Sequence, residues 1–370
     1  MADAKKNPEP RSLQVLQTAR QLLCARFSPD GAHLIAGGMD AKIHRWREAE
    51  VQVEKKEKTK DEEKVTTEKK IEWQPLPAVT GHQAWVSALG IHPKGDRVFT
   101  GDSWGQLRCT DLDGDKPKTH WAVKGAHDGW LRQLAVNEKH LATVGRDRAA
   151  RVWTHDGKRV AEWNGPDEVF AVAIQPDGQR VVFGDMKGKV RVWDFAANKI
   201  EREFVLKGFF KLSRLQDVGG LTRLMFLDGG KTLLAVGCAP TDGGTMQGIP
   251  TLDWLDYATG KSRHRFQHGV ENDGFITDAA WHPDGYLICA TSGVTANGKT
   301  WMVRPKEDKP FFENTKIVNI HAVALHPDRR RFILTSTNRT SNGNGRRLDK
   351  DGNYVGNHSP VHVMELPAKS

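Results

Sequence analysis

No stretch of the 370-residue chain approaches the roughly 18–20 consecutive apolar residues that a membrane-spanning helix requires. Cysteine is scarce. Cys24, Cys109, Cys238 and Cys289 stand far apart with no CxxC pair, a spacing that argues against a disulfide framework and a zinc site and suits buried thiols in a reducing compartment. HExxH, a Gly-rich phosphate loop and paired carboxylates at one cleft are all missing. Nothing nominates an enzyme, a cofactor or a bound metal. The segment from Met1 to Pro8 carries charges and a proline where a secretion signal needs an apolar core, so the expectation is a cytoplasmic protein. Hydrophobic residues make up 38% and the mean hydropathy is -0.58, yet 12 Trp and 14 Phe are too many for a disordered chain. With 36 Gly and 17 Pro, many turns and short strands are expected.

A turn recurs along the chain. It reads Phe27-Ser28-Pro29-Asp30-Gly31, Ile91-His92-Pro93-Lys94-Gly95, Ile174-Gln175-Pro176-Asp177-Gly178 and Trp281-His282-Pro283-Asp284-Gly285, with looser copies at Asn137-Glu138, Asp228-Gly229 and Pro327-Asp328. The positions 29, 93, 138, 176, 228, 283 and 327 are separated by 64, 45, 38, 52, 55 and 44 residues, close to the roughly 40–45 of a four-stranded propeller blade. Proline fixes φ early in each turn and glycine accepts φ > 0 later, so each copy predicts a tight hairpin. An apolar segment precedes the turn at 86–91, 131–136, 169–174 and 276–281. Further on, alternating segments such as Lys42-Ile43-His44-Arg45-Trp46, Ala150-Arg151-Val152-Trp153 and Lys189-Val190-Arg191-Val192-Trp193-Asp194 place one face in a core and one in water.

Gly81-His82, the Val192-Trp193-Asp194 ending and the repeated Pro-Asp-Gly turn resemble the tryptophan–aspartate (WD40) repeat β-propellers over about residues 12–367, and are most similar to stand-alone bacterial members. The resemblance implies an all-β, seven-bladed propeller of four-stranded antiparallel blades; six blades is the alternative. Residues 1–10 are expected to be a flexible terminus and 11–367 the propeller. Closure requires a strand from outside the last copy, and the alternation in 12–17 predicts that the N-terminal strand completes the last blade. The insertion 49–70 carries 7 acids and 7 Lys with few apolar groups, which predicts a protruding hairpin or a disordered loop.

His127, Thr143, Asp147 and Trp153 match the family's intrablade polar tetrad, a structural set rather than a hydrolase triad, since a triad needs an exposed nucleophile. The second copy has His82 and Thr100 with Trp104 where the Asp belongs, which predicts a broken tetrad. His92, His282 and His326 recur in the repeat register and read as turn residues.

Three features point to a partner. Trp85, Trp130 and Phe275 precede first strands, where the family resemblance places the top rim, and Trp104 and Arg146 sit in neighbouring top-face turns. Exposed aromatic and Arg residues are the usual interface anchors. Enlarged loops at 238–250, 293–299 and 337–360, with the connection 208–220, also fall on the top face. Between Lys299 and Lys350 stand 12 Lys+Arg against 5 acids, +7 of a whole-chain +9, with Arg339, Arg346 and Arg347 as steering charges. The expectation is a non-catalytic protein-interaction scaffold binding a protein partner on the top face; the alternative is salt-sensitive binding of RNA or another polyanion by the basic loops of blades 5–7. No polar cluster in a central channel is legible.

Overall fold

The computed structural model describes residues 9–58, 63–213, 215–242, 247–339 and 346–367. They form seven four-stranded antiparallel sheets, two small two-stranded hairpins and, among the described residues, no helix beyond two three-residue 3-10 turns. The blades span 22–79, 86–123, 131–164, 169–205, 221–267, 275–314 and 322–365, the last completed by Arg11–Leu16. Each first strand packs against the first strand of the next blade, and that of blade 7 returns to that of blade 1, which closes a ring around a central channel.

The recurrent turn follows each first strand. Gly31, Gly95, Gly178 and Gly285 all hold φ between +73° and +86°, the left-handed region that glycine enters without steric cost. The recurrent histidines complete these turns: Nδ1 of His92, His282 and His326 accepts the amide of Lys94 (3.2 Å), Asp284 (3.1 Å) and Asp328 (3.1 Å). Two of them also bridge blades. His282 Nε2 donates to Arg329 O at 2.8 Å, and His326 Nε2 donates to Gly31 O at 3.0 Å. A Cβ at position 31 would lie 2.5 Å from that imidazole nitrogen, so the contact between blades 7 and 1 demands glycine.

No blade has a core to itself. The buried apolar side chains fall into seven clusters, and each lies between two adjacent blades. Between blades 2 and 3, for example, Phe99, Leu107 and Cys109 meet Leu131, Leu141 and Trp153. Burying one face of a sheet against its neighbour is what stabilises a propeller, and it leaves a lone blade with an uncovered face. Side-chain hydrogen bonds stitch the inner strands as well. Ser87 Oγ donates to Leu131 O (2.8 Å), Thr222 Oγ1 to Ile276 O (2.6 Å), Thr277 Oγ1 to Ile320 O (2.8 Å) and Thr335 Oγ1 to Leu22 O (3.1 Å).

The ring closes within blade 7, whose outer strand is the N-terminal one. Arg11 pairs with Glu365 and Leu16 with Val361, and Leu16 enters the cluster shared with blade 1 beside Trp73, Ile333 and Val363. Parts of three segments expected as loops are paired instead. In blade 5 the second and third strands extend to Pro240 and from Gly248, so that 238–250 is a long hairpin. The 208–220 connection holds the hairpin Phe210–Ser213/Gln216–Gly219, and 337–360 holds Arg346–Leu348/Tyr354–Asn357. The charged insertion prolongs the third and fourth strands of blade 1, Ile43–Lys58 and Glu63–Val79, paired from Ile43↔Val79 to Lys58↔Glu63. Residues 1–8 of the expected flexible terminus lie outside the described residues.

Leu16→Ala is expected to lower stability by about 2–4 kcal/mol, the cost of a buried leucine truncation. Val15→Ala on the same strand, 40% exposed, should cost under about 0.5 kcal/mol. Urea unfolding of the two variants checks the claim, and equal losses would mean that the strand's inward face does not hold the ring.

Candidate functional site

The hydroxyl–histidine–aspartate set of blade 3 is a closed hydrogen-bond chain. Trp153 Nε1 donates to Thr143 Oγ1 (2.8 Å), Thr143 to His127 Nε2 (2.8 Å), and His127 Nδ1 to Asp147 Oδ1 (2.8 Å). Because Thr143 accepts from the indole, its own proton goes to the imidazole, which fixes the neutral Nδ1–H tautomer. Burial pushes the His127 pKa down against the pull of Asp147. Thr143 is fully buried, so no substrate reaches its hydroxyl, and the set serves to satisfy buried polar groups.

Blade 2 corrects the expected break. His82 Nε2 bonds Thr100 Oγ1 and His82 Nδ1 bonds Asp102 Oδ2, each at 2.8 Å. The carboxylate comes from the residue two after the threonine, not four. Burial works to raise the Asp102 carboxyl, but the bonds from His82 and the Gln106 and Trp104 amides outweigh it and hold it below the ordinary carboxylate range. Blade 4 places an acid at the same register position without a histidine: Asp185 receives the Lys187 and Lys189 amides (3.0 Å each) and Arg191 Nη1 (2.7 Å). What blade 2 lacks is the tryptophan. Thr110 stands in its place, and its buried hydroxyl has no hydrogen-bond partner.

Freed from the tetrad, Trp104 points outward and is 67% exposed. Its turn is nonetheless fixed: a Cβ at Gly105 would lie 1.9 Å from His127 O, and His127 N donates to Gly105 O at 3.1 Å. Trp85 is held to the same turn, since Ser103 N donates to Trp85 O (2.9 Å) and Trp85 N to Ser103 Oγ (3.2 Å). Trp85 and Trp130 meet edge to face with ring centroids 5.8 Å apart, and Arg132 lies over Trp130 at 4.2 Å while paired to Glu168 at 2.5 Å. Trp85, Trp104 and Trp130, with Met39, Asp40 and Ala41 of blade 1, line an open cavity of about 560 Å³. At its edge burial raises the Asp40 carboxyl, but the His44 imidazole bonded to it outweighs that and holds it below the ordinary carboxylate range.

The remaining residues singled out from the sequence lie elsewhere. Phe275 lines the mouth of the central channel, which it shares with Trp130. Arg146 is exposed beside Gly129, with its amide donating to Trp130 O at 2.9 Å. Arg339 and Arg347 are exposed on blade 7, where Arg339 donates to Thr315 O at 3.1 Å; Arg346 opens the small hairpin next to Arg347. Neither Arg339 nor Arg347 lines the indole cavity. Much of the basic surplus is already balanced. Arg331 binds Glu48 and Asp328 (2.5 Å each), Arg330 binds Glu365 (3.1 Å) and Lys299 binds Asp273 (3.2 Å).

One polar cluster was not read from the sequence. Arg26, Gln133 and Arg223 line both halves of the central channel, and Asp278 lies buried between the two arginines. The four thiols are buried and free, and burial raises those of Cys24 and Cys109 to about 11 and about 12. Among the described residues no group of His, Cys, Asp or Glu is placed to hold a metal ion, and no helix is long and apolar enough to cross a membrane.

A family model for the WD domain, G-beta repeat, matches residues 11–47, 73–111 and 157–194. The chain is similar to Protein HIR1 of Kluyveromyces lactis, 27% identical over 198 residues, which is 47% of this chain and 21% of that protein. It is also similar to Pre-mRNA-splicing factor cwf17 of Schizosaccharomyces pombe, 26% identical over 201 residues, 53% of this chain and 52% of that one. A shorter match, 33% identical over 72 residues, covers 20% of the chain and 4% of Kinesin-like protein KIF21A of Homo sapiens. The matches span about half or less of each relative, and these relatives, two fungal and one human, lend no support to a particular likeness to bacterial proteins.

Thr143→Val should cost about 1–3 kcal/mol in urea unfolding, because it strands both the His127 nitrogen and the Trp153 N–H in a buried site. Acid should also weaken the fold. Burial pushes His321 and His362 down to about 4, so between about pH 6.5 and 4 the unfolded chain takes up protons that the folded one does not, and stability falls as pH falls. The loss is expected to be on the order of 1–3 kcal/mol, and His362→Gln should flatten that part of the pH–stability curve.

Proposed function

We propose that this protein, a WD40-repeat β-propeller, is a non-catalytic platform that holds a protein partner on its top face. The carrying observation is the cavity between Trp85, Trp104 and Trp130, built across blades 1, 2 and 3. An indole left 67% exposed on a turn locked to the neighbouring blade is a preordered contact surface. Binding there orders little, so more of the contact energy remains as affinity. The Asp40 carboxylate at the edge favours a segment that inserts a Lys or Arg side chain, since indole faces attract cations. The relatives' names point in the same direction: a splicing factor and a kinesin-like protein share the repeat, which fits a docking element whose loops choose the partner.

The basic loops of the last blades carry the competing reading, a salt-sensitive polyanion partner. Pairing of Arg330, Arg331 and Lys299 with acids leaves them less charge for that task. We place the protein in the cytoplasm as part of the same reading, since its four cysteines are buried free thiols, as in a reducing compartment.

Immobilised protein is to be challenged with native-source lysate at low and high salt, with and without nuclease, beside Trp104→Ala and a Trp85→Ala/Trp130→Ala double variant. A defined protein that survives salt and nuclease should bind at least about tenfold more weakly to Trp104→Ala, as expected for an interface anchor. Capture that disappears with salt or nuclease and ignores all three tryptophans would shift the function to the basic loops.

A further inference from the structure

The first strand of six blades carries a bulge, and pairing resumes after it at one register position. That residue is Cys24 in blade 1 and alanine in blades 2 and 4. Blades 3, 5 and 6 place Gln133, Arg223 and Asp278 there instead, and Arg26 of blade 1 reaches the same level. Asp278 Oδ1 lies 2.9 Å from Arg223 Nε and Oδ2 lies 3.2 Å from Arg26 Nη1. The same two oxygens accept the amides of Ala279 (2.8 Å) and Val323 (3.2 Å), so the carboxylate, only 3% exposed, is fully engaged.

The charges around the waist do not balance. Two guanidinium groups share one carboxylate, and among the described residues no other acid lines either half of the channel. Arg132, the third channel arginine, is neutralised by Glu168. His321 adds no compensating charge of either sign, being held neutral by burial down to about 4. Burial lowers Arg223 only to about 10, so it stays charged at neutral pH. Arg223 Nε, although close to Asp278, is not aligned for a hydrogen bond with it. Both side chains open onto the channel, Arg26 at 27% and Arg223 at 21% exposure, so their excess positive charge faces any solute that enters. Cavities of about 420 and 520 Å³ open on the two sides of this level, both lined by Arg26, Gln133 and Arg223.

We propose that the waist of the central channel is a binding site for a small oxyanion group, carboxylate or phosphoryl, clamped between Arg26 and Arg223 with Gln133 as a neutral donor. Guanidinium forks match such groups with paired, charge-assisted hydrogen bonds. The anion supplies the negative charge that Asp278 alone does not. This site is separate from the indole cavity, and neither stands or falls with the other.

The test follows thermal unfolding of the full chain against inorganic phosphate, with ionic strength held constant by chloride. A second arm uses a short peptide with a free C-terminal carboxylate and the same peptide amidated. The wild-type midpoint should rise with phosphate or with the free-acid peptide, and which of the two acts identifies the source of the oxyanion. Arg26→Met leaves a balanced Arg223–Asp278 pair; it should weaken the apparent affinity at least about tenfold and unfold in chloride at the wild-type midpoint or above. Arg223→Met, which leaves Arg26 with Asp278, gives the same reading if the first variant does not fold. A wild-type midpoint indifferent to both probes, or one that moves equally in the variants, overturns the site and makes the arginines a purely structural bracket.

Discussion

Everything in this molecule depends on apolar faces that no blade covers for itself. Each of the seven clusters is shared by two neighbours, so the favourable burial term accrues per interface rather than per blade. An open ring of seven blades would have six interfaces and two bare faces; a closed one has seven and none. The N-terminal strand matters for this reason beyond its own hydrogen bonds, because Leu16 belongs to the cluster between blades 7 and 1. The histidine bridge from His326 to Gly31 reinforces the same seam, as does a second bond, in which Ser359 N donates to Thr18 O at 2.9 Å.

A ring held this way gives its rims little freedom, and that is where its recognition surface comes from. The top-face turns between second and third strands are fixed by buried carboxylates, Asp102 and Asp185, that take two turn amides each. Moving the aspartate from the turn into the end of the second strand leaves the position at the turn's tip without a structural duty. In blade 2 that position holds Trp104. The surface is thus an outgrowth of how a buried histidine finds its acid.

The repeat, the blade count and the closing strand were legible because each rests on local chemistry: Pro and Gly fix a turn, alternation fixes a strand, and a missing strand must come from the free end. The two hairpins at 238–250 and 208–220 were not, because the first pairs out to Pro240↔Gly248, residues with no strand alternation, and the second joins strands of only four residues each. Asp102 escaped because the expected motif places the acid at 104, while the backbone lets a carboxylate two residues earlier reach His82. The indole cluster was legible residue by residue as Trp85, Trp104 and Trp130, but not its partner Asp40, which belongs to another blade. The channel waist was the least legible. Arg26, Gln133, Arg223 and Asp278 are far apart in sequence, and only ring closure makes neighbours of them.

The closing seam also has a mechanical character. Arg11 and Glu365 stand opposite each other at the same end of two antiparallel strands. Tension applied between the two chain ends therefore loads the ladder one rung at a time, from Arg11↔Glu365 toward Leu16↔Val361, as a zipper rather than in shear. A disc held by seven shared interfaces has, along this one axis, a tear line. Any tether that pulled the ends apart would lift out the outer strand first and uncover the edge of the Val361–Glu365 strand while six blades stayed paired.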